Sequence, residues 1–535
     1  MYNEGSIKGG VRMYGVIPEP YEFSVKGDEA VFILTDSVNI DFCKEARAAL
    51  SDFSLFLKNV MGIESLGGSA ETVRLIMDSS VEKEEGYKIE ITKDLCLIKA
   101  FDEKGALYAV QTLKQLLIQS EGKLFETEIY DFPRFKWRGF MLDTARYFFS
   151  VEAVKLFIDA MVFHKLNRLH LHLTDDQGWR VEIYGKLLLA QVGGFRAYTN
   201  FGRTPHGGFY TKEDIEEIVH YASDRFIEVI PEIDQPGHAV SMIAAYPFLS
   251  CFDRELTVST HSGVHYDVLC IGKESTFEFM QDVLDEICEM FPSKIIHLGG
   301  DEVPTERWKH CPHCQKRIRE LGLSDEKELH TYYLNRMGRY MKSKGFEVIV
   351  WNDTDKDSKL DTDFIWQYWK GITDEDRVRL SKKGIRFINS SNDAYYLDLP
   401  YGHISLKECY EKEIFFEGTN EAFMGAEACL WAEYVPTMKK AGYCTFPRLG
   451  AFSERVWSDE SKKDYGKFEN KLSSYYKIIE TLPFDYAKEK QAMPSFFRKW
   501  GYNLYFERRK LHWNGLGNII ENRKVRKKAK EKKDD

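Results

Sequence analysis

Lys294-Ile295-Ile296-His297-Leu298-Gly299-Gly300-Asp301-Glu302 is an apolar run that ends in two glycines and two adjacent carboxylates. The run reads as a buried strand, and the acids as its solvent-facing end. Charge belongs at the mouth of a strand rather than inside it, and two carboxylates side by side there point to chemistry.

Outward from this segment, the chain after Pro133 alternates strand, loop and helix. Strands are predicted at 137–143, 167–174, 226–233, 294–299, 347–351, 363–369, 385–389 and 422–426, separated by helical patterns such as 151–164, 212–222, 277–290 and 329–341. Eight such units predict a (β/α)8 TIM barrel, whose strands are buried on both faces and whose sites lie at the C-terminal strand ends. The polar residues fall there. Asp143 and Arg146 follow the first strand, Asp175 and Asp176 the second, Asp234 and His238 the third, Asp301 and Glu302 the fourth. Trp351 and Asp353 end the fifth, Trp366 and Trp369 the sixth, Asn392 and Tyr396 follow the seventh, and Trp431 with Glu433 the eighth. Loop exposure explains polar residues at such places, but not tryptophans at three of the last four strand ends.

The barrel is assigned to residues 133–460. Ahead of it, residues 1–132 mix strand-like runs (31–34, 73–77, 87–98) with helical ones (44–61, 106–118), which predicts a small noncatalytic α/β domain. Behind it, residues 461–535 form a helical and aromatic extension that could cover the barrel, make a dimer contact or rim the cleft. Its basic end, Arg523 to Lys533, reads as a solvated tail.

At 535 residues and 43% hydrophobic content the chain can bury a large core, and a net charge of −10 argues against a nucleic-acid-binding body. The first ten residues lack the apolar run of a secretory signal and no stretch reads as membrane-spanning, so a cytoplasmic protein is expected. Ten scattered cysteines, among them Cys96, Cys288 and Cys429 in apolar runs, look like buried free thiols. Cys311-Pro312-His313-Cys314 has half the spacing of a zinc site, with His310 and His313 as further candidate ligands. No second tight pair follows, so reduced thiols are expected, and no metal or cofactor.

Acids combined with aromatic rings suit a sugar: flat rings cover apolar pyranose faces while charged groups divide the hydroxyls. Two carboxylates are also the usual equipment for cleaving a glycosidic bond, but they then flank the anomeric carbon. Neighbours on one chain cannot easily do so. The difficulty disappears if the substrate brings its own nucleophile, a 2-acetamido carbonyl oxygen. One acid, Glu302, and one carboxylate, Asp301, to orient the acetamido N–H, then suffice. With an ionised Asp301 beside it, Glu302 is expected to keep the proton a general acid needs. Read alone, the Asp301-Glu302 pair also fits a surface turn or a helix N-terminus.

In ordered blocks the chain resembles glycoside hydrolase family 20, the β-N-acetylhexosaminidases. The blocks are Arg138 to Arg146, His172 to Asp176 with Gly178-Trp179-Arg180, Pro231 to His238, His297 to Glu302, Tyr396-Leu397-Asp398 and Glu427 to Glu433. Glu85-Gly86-Tyr87 and Gln111 to Leu116 extend the likeness to the family's front domain. The resemblance implies Glu302 as acid/base, Asp301 as the acetamido-orienting carboxylate, and Tyr396 as donor to the acetamido carbonyl. It implies Trp351, Trp369 and Trp431 as walls of the acetamido pocket, and Arg146, Asp398 and Glu433 as ligands of the sugar hydroxyls. Asp175 and His238 resemble the pair that tunes Glu302, with Asp234 as support. Arg146 is preferred to Arg138 as a sugar ligand, Trp369 to Trp366, and Tyr396 to Tyr395; His170 and His172 share a strand face, where packing is as good an account as binding. Glu454 and Trp457 read as joining the late helix to the barrel. The stretch 184–191 departs from the family pattern and is expected to border the aglycone.

The function so implied is a retaining, exo-acting β-N-acetylhexosaminidase acting on GlcNAc- or GalNAc-terminated glycans. Alternatives are a disaccharide-releasing enzyme of lacto-N-biosidase type and a noncatalytic carbohydrate-binding barrel.

Overall fold

The computed structural model of the chain describes residues 14–63, 65–353 and 359–510; the basic end at 523–533 lies outside them. Eight parallel strands close a barrel: β1 (Trp137–Asp143), β2 (Arg168–His172), β3 (Glu228–Glu232), β4 (Ile295–His297), β5 (Glu347–Trp351), β6 (Ile365–Tyr368), β7 (Arg386–Asn389) and β8 (Phe423–Leu430). Each pairs with the next, and β8 with β1. The expected TIM barrel is thus the observed one.

Along β3 and β5 the inward positions change character on the way up. Ile230 and Ile349 join Trp137, Ile365 and Ile388 in an apolar plug, whereas Glu232 and Trp351, two residues on, face a polar and aromatic upper layer. Register sets Asp143 level with His172, His172 with Glu232, and Glu232 with His297, so four polar side chains from adjacent strands meet near the mouth. Outer helices are started by local chemistry: Ser150 caps Val151–Phe163, and Thr211 with Asp214 makes a capping box for Lys212–Ser223.

The front domain is a seven-stranded sheet with helices Arg47–Asn59 and Glu103–Ser120. The second helix is buried nearly all round, because its far side meets the barrel helix Val151–Phe163 and the late helix Tyr465–Ile479. The run predicted as one strand at 87–98 is a hairpin, Tyr87–Thr92 and Leu95–Ala100, since Asp94 takes φ 59° and reverses the chain. The strand expected at 31–34 begins earlier, as Glu22–Ile33. β8 runs to Leu430 rather than 426, which draws Glu427 into the barrel. The extension forms helices Tyr465–Ile479 and Phe496–Lys510, the second exposing Phe496, Phe497 and Trp500. Among the described residues no helix is long and apolar enough to cross a membrane.

Candidate active site

The turn leaving β4 carries the centre of the site. Gly299 and Gly300 take φ of 66° and 96°, and Glu302 takes 49°. A Cβ on Gly299 would collide with Asp234 Oδ1, the oxygen that accepts from Gly300 N–H at 3.0 Å, so the turn needs glycine there. The turn separates the two carboxylates by environment. Asp301 is 9% exposed, whereas the Glu302 side chain is 36% exposed, and Glu302 N–H donates to Asp353 Oδ2 at 2.7 Å.

His238 links this pair to the end of β2. Its Nδ1–H donates to Asp175 Oδ1 at 3.1 Å, with Asp176 Oδ2 at 3.3 Å, while Nε2 lies 3.8 Å from Asp301 Oδ2 and 3.9 Å from Glu302 Oε2. Burial opposes a charged imidazole, but Asp175 and Asp176 outweigh it and hold His238 well above the usual histidine range. Burial pushes Asp301 up to about 7; His238 opposes this, and Asp353, Glu232 and Glu302 reinforce it. Burial thus works against the standing anion expected from sequence, and His238 is the charge that supports it. An N–H donor arriving at its buried Oδ1, which has no partner among the described residues, would favour the anion.

Four aromatic rings, Trp351, Trp369, Tyr396 and Trp431, converge beside Met141 and Cys429. Trp369 and Tyr396 lie 6.3 Å apart at 4° to each other, and Trp431 is 5.7 Å from Trp351 and 5.8 Å from Tyr396. Trp351 Nε1–H donates to Glu232 Oε1 at 2.7 Å and Trp369 Nε1–H to Asp353 Oδ1 at 3.0 Å. Anchored this way, Trp351 is fixed as a buried wall, whereas Trp369 stays partly exposed. Burial raises the Tyr396 phenol well above its usual range, with nearby Asp301 adding to the effect, so it stays a donor.

Arg146 lies beyond these rings. Its Nη2 is 2.6 Å from Asp175 Oδ2, its Nη1 3.1 Å from Asp143 Oδ2, and its guanidinium lies over Trp431, 4.9 Å from the centroid. Asp398 accepts from Trp431 N–H at 3.4 Å, and burial pushes it up to about 7. Glu433 accepts from Gly263 N–H at 3.0 Å; burial raises it and Arg146 pulls it back. The residues expected from sequence thus gather at one mouth: Glu302, Asp301, His238 and Asp175 in one chain of contacts, Arg146 bridging from Asp175 to Trp431, and Asp398 and Glu433 behind.

The rejected alternatives lie elsewhere. Trp366 and Tyr395 are core residues, Arg138 binds Glu85 of the front domain at 2.5 Å, and Glu454 binds Lys471 at 2.8 Å. Trp457 reaches past the barrel to Asp131 of the front domain. The stretch 184–191, expected near the aglycone, is tied to the flanking helix Glu274–Met290 through Tyr184 N–H to Glu286 and Lys186 to Asp282.

Other residues support the site without being candidates for touching the sugar. Asp143 accepts from Ala145, Arg146 and Ala432 N–H, so it fixes both Arg146 and the end of β8. Glu232 is a buried hub between His170, His172, His297 and Trp351. Its signal was present: His170, His172, Glu232 and His297 all sit inside runs predicted as buried strands, where ionisable groups must find partners. The segment 251–270 supplies Gly263 and was not assigned at all.

Compared with known proteins, residues 135–460 match the family model for the catalytic domain of glycosyl hydrolase family 20, and residues 13–132 match that family's domain 2. A beta-hexosaminidase of Porphyromonas gingivalis is 39% identical over 425 residues, 73% of this chain and 53% of that protein. One from Akkermansia muciniphila is 31% identical over 455 residues, 81% of this chain and 92% of that protein. The chain thus spans about half the length of the first relative and most of the second. The solved beta-N-acetylhexosaminidase of Bacteroides fragilis superposes with a TM-score of 0.76 at 30% identity, covering 91% of this chain and 99% of that one. The exo beta-N-acetylglucosaminidase of Vibrio harveyi, in complex with N-acetylglucosamine, gives 0.80 at 26% identity, covering 91% and 80%. Matched across both of its domains, and carrying the acid pair at the end of β4, the chain belongs to glycosyl hydrolase family 20.

Proposed function

We propose that this glycoside hydrolase is a retaining, exo-acting β-N-acetylhexosaminidase that removes terminal β-linked GlcNAc or GalNAc using the substrate's acetamido group as nucleophile. The observation that carries this reading is the unequal pair on one turn: a buried Asp301 beside the aromatic box and a half-exposed Glu302 at the mouth. Glu302 donates its proton to the glycosidic oxygen while the acetamido carbonyl oxygen bonds to the anomeric carbon, and the aglycone leaves as an alcohol. Asp301 accepts the acetamido N–H and balances the charge of the oxazolinium-type intermediate, and Tyr396 donates to the carbonyl oxygen. Glu302, now a carboxylate, takes a proton from water, whose oxygen attacks the same carbon and reopens the ring with retention. Positively charged His238, 3.8 Å from Asp301, favours the anionic form of that carboxylate.

Arg146 and Asp398 contact Trp431, and Glu433, held by Gly263, faces Arg146. Three charged groups clustered beside one indole suit the hydroxyls of a single terminal sugar. The test is hydrolysis of chromogenic β-GlcNAc, β-GalNAc and β-glucoside by the native enzyme, Asp301→Asn and Glu302→Gln, with a thiazoline inhibitor. Acetamido substrates should be strongly preferred and the thiazoline should inhibit. A glucoside cleaved as readily as its 2-acetamido analogue would sink substrate assistance, and inactivity on all three would return the binding-barrel and biosidase readings.

A further inference from the structure

Away from the sugar site, Cys251, Cys270, Cys311 and Cys314 bring four buried thiols together, every pair of sulfurs within 4.8 Å. Cys311 and Cys314 are the tight pair visible in the sequence. Their partners precede them, and eighteen residues separate Cys251 from Cys270. His310 and His313 face solvent and take no part.

The distances discriminate between the chemistries open to four cysteines. Cys270 Sγ is 3.6 Å from Cys311 Sγ and 3.7 Å from Cys314 Sγ, and Cys251 Sγ is 3.9 Å from Cys314 Sγ. A disulfide needs about 2.0 Å, so none of these contacts is one. Four sulfurs at the corners of a tetrahedron, each about 2.3 Å from a central zinc, stand about 3.8 Å apart. An iron–sulfur cluster distributes its thiolates over different iron atoms and cannot fit among sulfurs this close. We propose that Cys251, Cys270, Cys311 and Cys314 bind one structural zinc ion.

The surroundings suit such a site. Binding exchanges four S–H bonds for four S–Zn bonds, releases four protons and leaves two net negative charges. Cys311 is the N-cap of the helix Pro312–Leu321 and Cys314 lies in its first turn, where unpaired N–H groups and the helix dipole favour thiolates. The chain just past Cys270 is pressed onto that turn: a Cβ on Gly272 would collide with the backbone of His313 and Cys314. Four protein ligands leave no open position, so the ion is structural rather than catalytic.

Its consequence reaches the sugar site through the segment it staples at both ends. Between Cys251 and Cys270, Ser259 N–H donates to Asp176 O at 3.0 Å, His261 O accepts from Gln177 at 2.8 Å, and Gly263 N–H donates to Glu433 at 3.0 Å. The ion would hold the wall that positions Glu433 and Gln177.

The test uses the full chain, produced with zinc and iron both supplied and purified without chelator. Elemental analysis should find about one zinc per chain. Titration with a mercurial in the presence of a zinc-binding dye should release that zinc as four thiols react. Cys270→Ser with Cys314→Ser should lose it, while Cys288→Ser, outside the cluster, should keep it. Loss of two ligands can unfold the segment, so a second reading uses the native chain: cobalt(II) in place of zinc should give the intense visible bands of a tetrahedral tetrathiolate centre. Zinc below a tenth of an equivalent, iron in its place, zinc retained by the double variant, cobalt without those bands, or disulfides among the four cysteines would each overturn the proposal.

Discussion

Asp301 answers to two opposing demands, one from folding and one from the proposed chemistry. Burial favours its neutral form and pushes it up to about 7, whereas the acetamido N–H needs an acceptor. Its folded-state value lies above that of the unfolded chain, so the folded state binds the proton more tightly. The stabilisation this gives is present below about pH 4 and lost as pH rises through about 7. Asp301→Asn is therefore expected to lower kcat by roughly 100- to 1,000-fold. Relative to the native enzyme, its melting temperature should rise more at pH 8 than at pH 4, by an amount reflecting roughly 2–4 kcal/mol. Scanning calorimetry at the two pH values checks this, and equal shifts would show that Asp301 is not held back by burial. Asp398 titrates in the same range, so the acid limb of kcat/KM should be steeper than one proton in the native enzyme and fall to one in the variant. Gly299 meets a steric limit rather than an electrostatic one. Gly299→Ala adds strain at φ 66° and drives a methyl into Asp234, for a cost of about 1–3 kcal/mol, and should depress kcat through the misplaced Asp301 turn.

Among the elements, the alternation of buried strand and polar strand end was legible because both halves of each β/α unit follow simple periods. Trp351, Tyr396 and Trp431 could be picked from single strand ends for that reason. Residues whose roles depend on two distant segments show in the sequence at most that a partner is needed, not which one. Glu232 looks like an interruption of an apolar strand until register sets it beside His172 and His297, and Cys251 and Cys270 look like isolated thiols until their segment folds back onto the helix Pro312–Leu321. Gly263 carries no side chain to announce that its N–H holds Glu433. The Glu232 hub makes a prediction at this scale. Burial opposes charge on His170, but Glu427 and Glu232 raise it to about 9, a stabilisation present below about pH 6.5 and lost as pH rises through 9. Glu232→Gln removes one counter-charge from His170 and His172, leaving them Glu427 and Asp175 alone, and should cost about 3–5 kcal/mol near neutral pH. The deficit should shrink above pH 9, where His170 is neutral in both proteins. Denaturant unfolding at pH 7 and pH 10 tests this, and an unchanged deficit would mean that the charge of His170 is not what Glu232 supports.

Across the whole molecule, the front domain and the barrel are joined by buried charge as well as by apolar contact. Asp131, the last residue of the front sheet, accepts from Lys165 at 2.8 Å, from Trp457 Nε1–H at 2.9 Å and from the Tyr87 hydroxyl. Lys165 belongs to the barrel turn before β2, and Trp457 to the helix that ends the barrel, so one carboxylate collects donors from three parts of the chain. Burial lowers Lys165, and Asp131 is the charge that counters it. Nearby, Arg138 leaves β1 to pair with Glu85, and its guanidinium lies over Trp457, 5.0 Å from the centroid. A junction of this kind couples the two cores, so the native protein is expected to unfold in one cooperative transition. Asp131→Ala strands a buried ammonium and should cost about 3–5 kcal/mol, splitting that transition or moving it to lower temperature. None of these residues touches the sugar site, so kcat at 25 °C should stay within about twofold of native while the fold persists. Calorimetry and steady-state assays on the same preparation decide the point: a kcat that falls in step with stability would mean that the junction positions the strand ends of the active site, not only the two domains.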